Sequence, residues 1–545
     1  MGYERTSLGR FSLFDHTTLM KKKHLLVQQV SVYTFIWSTL MVTNFVGNSK
    51  NWLYEYRNGI AVVFISILAT LYSLYGLTSW KFSVVGDEFL FFDNAKLIAE
   101  QNLLVNPFAL NGVYEQHRVL DSYVPAIFLI VFGSDFAVWK FSSVFMLFPT
   151  IIIFYMFVKD LLDKNTAIIA AILLAFSHYL TNFYKIGYPH SFCLMFFVIC
   201  LYLSARLINY PTMGYAFKLG LSLGIAFYTY IGPLFIVLVS PFFLVMMYRQ
   251  MIHYSPFYTK RLQALKCFTI VLTVFLLVGM LGFATTPKVF WTKALTKTSL
   301  NREFDSNYQF LTNIKNNFIL FWKNYYIRCY RHFVEGPYLE FFSRWAAALG
   351  IILAIFLRRK GTVLLLILWV VTCVSLGLTN PYKYTPTSRG IFFIPFGAAL
   401  AAISLNFLRK KIKAFRFTWL VIPAILLVSV AGNIYRAQVG FFRKYGYTRT
   451  AIIMREIIAN KFVLLFHSPD CFFDNQHVLR LMEYHKIDRF RYAEETIMIS
   501  PEVRKQRPVL LILSSDPIWH NEKIKEQILK GYEPSNIKRV KGYSP

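Results

Sequence analysis

The sequence predicts a polytopic α-helical membrane protein. Of its 545 residues, 56% are hydrophobic, 18% are aromatic and only 16% are charged, whereas soluble domains carry roughly a quarter charged residues. A chain this apolar has too little polar surface to face water, so the bilayer is its expected solvent. The net charge of +30 does not indicate a nucleic-acid-binding protein, because the basic residues lie between apolar runs instead of on one soluble domain.

A helix that crosses a bilayer needs about 20 mostly apolar residues. Residues 25–47 are uncharged but only moderately apolar, so we expect a helix lying on the cytoplasmic interface there. The sequence predicts about eleven spans, at 59–79, 137–157, 166–182, 189–207, 214–231, 233–248, 267–284, 342–357, 362–379, 389–407 and 417–434.

The short basic loops predict the orientation, because Lys and Arg accumulate on the cytoplasmic side. These loops contain Lys159 and Lys164, then Arg249, Lys260 and Arg261, then "RRK" at 358–360 and "RKKIKAFR" at 409–416. They form one alternating set, so the N-terminus is expected inside and the C-terminus outside. Two long outer loops then follow, at 80–136 and 285–341.

Three domains are predicted: an N-terminal cytoplasmic or interfacial segment at 1–58, a membrane domain at 59–434 and an outer tail at 435–545. The tail contains the β-like runs "KFVLLF" and "PVLLIL", separated by the helix-like "HVLRLMEYHKI". A small extracytoplasmic α/β domain is the economical interpretation.

Asp87 and Glu88 stand side by side just past the outer end of the first span. Apolar residues recur after them at helical spacing, with charged residues on the opposite side, which predicts a two-faced helix on the membrane surface. The apolar run at 121–133 is too short to span comfortably and predicts a second surface helix. The pair could cap the first helix, since a carboxylate at a helix N-terminus contributes about 0.3–1 kcal/mol. A cap needs only one carboxylate, however, and a carboxylate near a low-dielectric boundary is also suited to act as a general base.

The order and spacing of several stretches resemble the membrane glycosyltransferases of the GT-C fold, specifically the protein O-mannosyltransferase and aminoarabinose transferase (PMT/ArnT) type. The similarity covers most of residues 59–434. The stretches are "GDEFLFFDNAKLIAEQN", "YVPAIFLIVFGSDFAVWKFSSVFMLF", "FYKIGYPHSFCLMFFVICLYLSARL", "GLSLGIAFYTYIGP" and "TPTSRGIFFIPFGAALAAISL".

The resemblance implies inverting transfer of a sugar from a polyprenyl-phosphate carrier to an acceptor on the outer face of the membrane. By the family pattern, Asp87 is the general base that activates the acceptor, and Glu88 orients the site or helps to bind a metal. The second outer loop departs from the pattern, because "SHYLTNFYKIGYPH" lacks the acidic residue that many relatives carry there. The part 296–318 of the large outer loop is expected, by analogy, to fold over the site.

Arg389, Lys185 and Lys383 are the candidates for binding the donor phosphate. A guanidinium can hold a phosphate bidentately, while each of the three could instead be an ordinary interface residue. If a divalent metal ion is present, Glu88, His117 and His190 are the candidate ligands, although the histidines lack a fixed metal-ligand spacing.

Two other classes of function stay open. A transporter or lipid flippase also needs many spans, but transporters place ionisable residues near the bilayer midplane, whereas here the charged candidates gather at one outer boundary. A non-catalytic relative of the enzymes is the other alternative. The expected location is a cell membrane, most simply the bacterial inner membrane, with the site on the periplasmic side. The acceptor is a glycolipid, a polysaccharide or a protein, and the sequence identifies neither the acceptor nor the sugar.

Overall fold

The computed structural model describes residues 52–77, 88–109, 118–229, 258–285, 307–319, 337–379, 387–412 and 420–441, together with three short strands in the tail. The predicted interfacial helix at 25–47 and the predicted span at 233–248 lie outside these residues. The predicted domain boundaries stay predictions.

Within the described residues the membrane domain is entirely helical. Its α-helices are α1 (Trp52–Leu74), α2 (Glu88–Glu100), α3 (Leu120–Phe132), α4 (Phe136–Phe145), α5 (Leu147–Leu161), α6 (Lys164–Ala175), α7 (His178–Ile186), α8 (His190–Asn209), α9 (Met213–Phe227), α10 (Tyr258–Thr285), α11 (Asn307–Ile319), α12 (Phe341–Leu357), α13 (Lys360–Thr379), α14 (Ile394–Ile412) and α15 (Val421–Tyr435). A 3₁₀-helix at Thr387–Phe393 precedes α14, and a π-helix at Arg436–Phe441 continues α15.

Six helical segments of the described chain are long and apolar enough to cross a membrane, and the bent pair α6 and α7 adds a seventh if it is one span. Shorter apolar helices occupy 58–74, 120–132, 213–227 and 341–357. The structure therefore confirms a helical membrane protein with several spans, while the number eleven stays a prediction.

The predicted span at 166–182 is not one straight helix. It breaks after Ala175, and α7 leaves α6 at an angle of 51°. Ser177 starts the second helix by accepting the Leu180 N–H on its side-chain oxygen at 3.4 Å. A hydropathy window counts apolar side chains and does not detect this local cap, because the residues on both sides of the break are apolar.

Two of the basic loops, those with Lys164 and Lys410, meet at one end of the helix bundle, as their alternation along the chain predicts. Asp163 caps α6 and is joined there by Asn406, whose Nδ2 lies 2.7 Å from the Thr166 hydroxyl, and by Lys410 at 3.8 Å. Arg206, at the end of α8, pairs with Asp160 at 2.6 Å. The opposite end of the bundle is called the outer end below.

The environment of Asp163 favours its charged form. Burial alone raises the pKa of this carboxyl, but the hydrogen bonds from Thr166 and Asn165, together with the Lys410 charge, outweigh burial and lower the pKa below its ordinary value.

The two helices predicted in the first outer loop are present and pack against each other. On α2, Phe91, Ala95, Ile98 and Ala99 are buried. Ala95 and Ala99 lie on the apolar face that the sequence predicts, whereas Phe92, predicted on the same face, is only half-buried. On the opposite side Lys96 and Glu100 form an exposed ion pair at 3.9 Å. The Asn94 amide donates to the Ser122 hydroxyl at 2.9 Å and so links α2 to α3.

The large outer loop differs from its expectation in the part that is described. Residues 307–319 form a helix, α11, which packs against the span α13. The Asn317 amide donates to the Cys373 carbonyl at 2.7 Å, and the rings of Phe318 and Trp369 lie 5.3 Å apart. The described part of this segment is thus a helix held on a span by buried contacts, while residues 296–306 lie outside the described residues, so folding over the site stays a prediction.

The tail contains a three-stranded parallel sheet in the order β2-β1-β3, with β1 at Val463–Phe466, β2 at Phe490–Ala493 and β3 at Val509–Ile512. Strands β1 and β3 are the two β-like runs predicted from the sequence, and β2 is an addition. The helix predicted between β1 and β2 lies outside the described residues, so the α/β domain stays a prediction.

Candidate active site at the outer end

The first outer loop and the turn between α7 and α8 meet at the outer end. Glu88 is the first residue of α2, and Phe91, one turn later, contacts Tyr188 with ring centroids 5.4 Å apart. Gly187, at φ +81°, ends α7, and a side chain there would overlap the ring of Trp139 on α4. The start of α2 is thus fixed close to the turn that connects Lys185 to His190. Asp87 lies outside the described residues.

A small, mostly apolar cavity of about 20 Å³ lies between α2, α3, α4 and α8, enough room for one water molecule. Its polar lining includes Asp121 and four serines, of which Ser143 and Ser191 share a hydrogen bond of 2.8 Å. Asp121 is only 2% exposed. This carboxylate adjoins the second outer loop, where the sequence has no acidic residue of its own.

Arg118 is the most informative side chain at the outer end, and no sequence pattern predicts it. It is 9% exposed, and its Cζ lies 5.1 Å from the ring centroid of Phe227. Its Nε has no hydrogen-bond partner within the described part of the chain. Burial lowers the pKa of the guanidinium, an effect that the nearby Asp121 charge partly opposes. The result is a buried cation with donor capacity to spare, which is suited to an anionic ligand.

The predicted phosphate residue Lys185 lies in the last turn of α7 and is fully buried. Its Nζ is 5.7 Å from the ring centroid of Tyr72 on α1. A buried lysine is costly unless a partner or a ligand receives its charge. Lys185 is thus a buried lysine in contact with α1, and its role at the donor phosphate stays a prediction.

The other two phosphate candidates are placed only in part. Arg389 belongs to the 3₁₀-helix that leads into α14, and Lys383 lies outside the described residues. The residue after Arg389 is Gly390, where an added Cβ would overlap the ring of Tyr338. The backbone that carries Arg389 is therefore in direct contact with the end of the large outer loop.

The histidines have different surroundings. His190 begins α8, is 1% exposed and contacts the rings of Phe183 and Tyr188, each at 5.5 Å. On α7, His178 binds Asn433 of α15 through both its backbone N–H and its Nδ1, at 3.0 and 2.8 Å. His178 thus has a structural role in joining two helices.

The described residues contain no group of three His, Cys, Asp or Glu side chains that could hold a metal ion. His117 and the Glu88 side chain lie outside the described part, so the proposed ligand set of Glu88, His117 and His190 stays a prediction.

Known proteins share this architecture. The family model of dolichyl-phosphate-mannose-protein mannosyltransferases matches residues 116–280, which include Arg118, Lys185 and His190. The crystal structure of ArnT from Cupriavidus metallidurans bound to undecaprenyl phosphate has a TM-score of 0.51 at 11% identity, covering 84% of this chain and 90% of ArnT. The same enzyme in the apo state gives a TM-score of 0.48 at 11% identity, over 77% and 84% of the two chains.

The archaeal oligosaccharyltransferase AglB from Archaeoglobus fulgidus, in complex with an inhibitory peptide and a dolichol-phosphate, gives a TM-score of 0.44 at 14% identity over 78% of this chain. This chain spans 60% of the AglB length. No curated protein sequence matches the chain. The family match and the ArnT fold confirm the predicted resemblance to GT-C glycosyltransferases of the PMT/ArnT type.

Proposed function

We propose that this protein is a membrane glycosyltransferase that moves a sugar from a polyprenyl-phosphate donor to an acceptor on the outer face of a bacterial cell membrane. The acceptor is a glycolipid, a polysaccharide or a protein. The family match and the shared ArnT fold support this class, and the ArnT structure contains a polyprenyl phosphate.

The observation that carries the proposal is the buried Arg118. Moving a cation out of water costs several kcal/mol unless hydrogen bonds and an opposite charge compensate it. Arg118 has Asp121 nearby, but its Nε has no hydrogen-bond partner in the described residues. Ionisable groups buried in a membrane protein usually mark a functional site. A phosphate bound at Arg118 would supply the missing acceptors.

The proposed reaction is a single displacement with inversion. The acceptor oxygen attacks the anomeric carbon and gives its proton to the carboxylate of Asp87, while the bond from that carbon to the phosphate oxygen breaks. Glu88 orients the acceptor or the base. Polyprenyl phosphate leaves, and its charge is held by Arg118, with Lys185, Arg389 and Lys383 as further phosphate contacts. The candidate metal ligands Glu88, His117 and His190 enter no step of this scheme.

The test uses purified protein in nanodiscs, supplied with undecaprenyl-phosphate-linked sugars and a lipid extract as acceptor source. Asp87→Asn is expected to lower the transfer rate by about 10²- to 10⁴-fold, the usual contribution of a general base. Arg118→Gln is expected to lower kcat/KM by about 10- to 100-fold, the loss of one or two hydrogen bonds to a charged group.

Arg206→Gln is the matched control, because Arg206 is paired with Asp160 at the opposite end of the bundle. It should leave donor KM unchanged. Transfer that continues undiminished in Asp87→Asn would refute the assignment of the base. Transbilayer movement of the labelled lipid without transfer would favour the transporter alternative.

A further inference from the structure

The short helix α7 has a polar face that is buried. His178, Thr181, Asn182 and Lys185 follow one another at positions i, i+3, i+4 and i+7, so they share one side of the helix. All nine residues of α7 are buried. Helix α7 lies at the outer end and is bent by 51° relative to α6. One side of it therefore carries the Thr181 hydroxyl, the Asn182 amide and the Lys185 ammonium group.

Two of these side chains lack the partners that buried polar groups normally have. The Thr181 hydroxyl oxygen and the Asn182 carbonyl oxygen Oδ1 have no hydrogen-bond partner among the described residues, although Thr181 is 0% and Asn182 1% exposed. In native structures roughly nine in ten or more buried polar groups are paired. Two unpaired oxygens on adjacent residues of one helix are a local departure from that rule.

The Thr181 hydroxyl also lacks a hydrogen bond that other helical threonines of this protein make. Four of them, Thr70, Thr150, Thr269 and Thr372, donate their hydroxyl to the carbonyl four residues earlier, at 2.6–2.9 Å. This bond is available to any threonine inside a helix. The Thr181 hydroxyl makes none, so its orientation leaves it able to bind another group.

The two ends of the polar face each contact another helix, although His178 Nε2 has no hydrogen-bond partner among the described residues. His178 is bound to Asn433 of α15, and the Lys185 ammonium lies over Tyr72 of α1. Thr181 and Asn182 lie between them. The ligand for the middle of the face must therefore reach the space between the outer ends of α1 and α15.

The chemistry of these atoms selects the kind of ligand. Asn182 Oδ1 is an acceptor only and needs a donor from its ligand, whereas an ionised phosphate offers acceptors alone. A sugar hydroxyl both donates and accepts, so it matches the amide carbonyl and the threonine hydroxyl together. Because both oxygens are shielded from solvent, the ligand must displace a neighbouring side chain to reach them.

We propose that Thr181 and Asn182 bind the hydroxyl groups of the saccharide on the polyprenyl-phosphate donor. This inference rests on the proposed function and specifies which residues contact the sugar instead of the phosphate.

The test compares binding of bare undecaprenyl phosphate with binding of undecaprenyl phosphate linked to mannose, glucose, galactose or 4-amino-4-deoxyarabinose, in nanodiscs. The sugar increment is the Kd for the bare lipid divided by the Kd for the sugar-bearing lipid, so a larger value means that the sugar strengthens binding. The wild type should bind at least one sugar-bearing lipid more tightly than the bare lipid. Thr181→Val and Asn182→Leu should each reduce the increment about five- to tenfold, the loss of one hydrogen bond, with Kd for the bare lipid unchanged.

Thermal stability distinguishes a ligand site from a structural one. Each variant removes an unpaired polar group, so its unfolding temperature should stay the same or rise. Thr372→Val is the matched control: its hydroxyl is bonded to the Leu368 carbonyl at 2.7 Å, so its loss should lower stability and leave the sugar increment intact. Thr181→Ser keeps the hydroxyl and should keep the increment.

Three results would overturn the inference. One is an unchanged increment with unchanged stability in folded Thr181→Val and Asn182→Leu. The second is an unchanged increment with lower stability, which would mean that an ordered water holds these groups. The third is a wild type that binds bare and sugar-bearing lipid equally. A wild type that binds neither lipid would overturn the proposed function as well.

Discussion

Glu340 is a buried carboxylate that accepts four hydrogen bonds, and its neutralisation gives the sharpest stability prediction. It caps α12 at the outer end and is 3% exposed. Its Oε2 accepts the Phe342 N–H at 2.8 Å, while Oε1 accepts the Ser343 N–H at 2.6 Å, the Ser343 hydroxyl at 2.8 Å and the Ser429 hydroxyl at 2.5 Å. It therefore joins the end of the large outer loop, α12 and α15.

Glu340→Gln keeps the shape of the side chain and changes what it can accept. The amide oxygen can replace Oε1, but the NH₂ group then faces the Phe342 N–H, a donor against a donor. Leaving one buried N–H unpaired costs about 1–3 kcal/mol. Loss of the negative charge at the helix N-terminus adds about 0.3–1 kcal/mol. We expect the free energy of unfolding to fall by about 1–4 kcal/mol.

The measurement is equilibrium unfolding in mixed micelles with increasing SDS. Glu100→Gln is the control, because the same chemical change there removes only the exposed Lys96–Glu100 pair, for which about 0.5 kcal/mol or less is expected. The reasoning about Glu340 is wrong if the two variants lose the same stability, since burial and the four hydrogen bonds would then contribute nothing.

Three further predictions follow. Tyr228→Phe removes a hydroxyl that accepts the Gly282 N–H at 2.6 Å and donates to carbonyls of α10; about 1–3 kcal/mol of stability should be lost, as measured by the same unfolding. Gly390→Ala should sharply reduce sugar transfer, because the alanine Cβ would overlap the Tyr338 ring. The second substitution Tyr338→Leu should restore part of the transfer rate. A double variant as inactive as Gly390→Ala would show that the overlap is not the cause. Asp163 has a lowered pKa in the folded state. Its contribution to the free energy of unfolding is therefore present above the unfolded pKa of about 3.9 and is lost as the pH falls through the folded pKa. Unfolding curves of Asp163→Asn should show lower stability than the wild type at pH 7 and a smaller loss of stability on acidification.

The helical framework was predictable because it follows from local patterns. Apolar runs of bilayer length predicted the spans, and the alternation of basic loops predicted which loop ends meet, as the Asp163–Asn406 contact shows. The surface helix α2 followed from apolar residues at helical spacing. In each case the information lies within about 20 neighbouring residues, which is the length over which hydropathy and periodicity operate.

The site was harder to predict because distant segments assemble it. Arg118 and Asp121 stand in "QHRVLDSY", where nothing marks them as buried. Arg118 becomes informative only when Phe227, more than a hundred residues later, covers it. A local signal was present for Asp121, since an acidic residue at the start of an apolar run is unusual in so basic a chain. The helix stripe of Thr181, Asn182 and Lys185 was also readable, but its meaning depends on complete burial.

The buried polar groups at the outer end are of two kinds. Some connect helices through hydrogen bonds, and others belong to the proposed binding site. Glu340 accepts four hydrogen bonds and ties α12 to α15. His178 ties α7 to α15 through Asn433, although its Nε2 has no hydrogen-bond partner among the described residues. Arg118, Thr181 and Asn182 each retain an unpaired atom among the described residues. An unpaired buried group lowers stability by about 1–3 kcal/mol, and apolar replacements of similar size would avoid that loss. On the proposed function, the donor would supply the missing partners: its phosphate matches the cation, and its sugar hydroxyls match the two neutral oxygens.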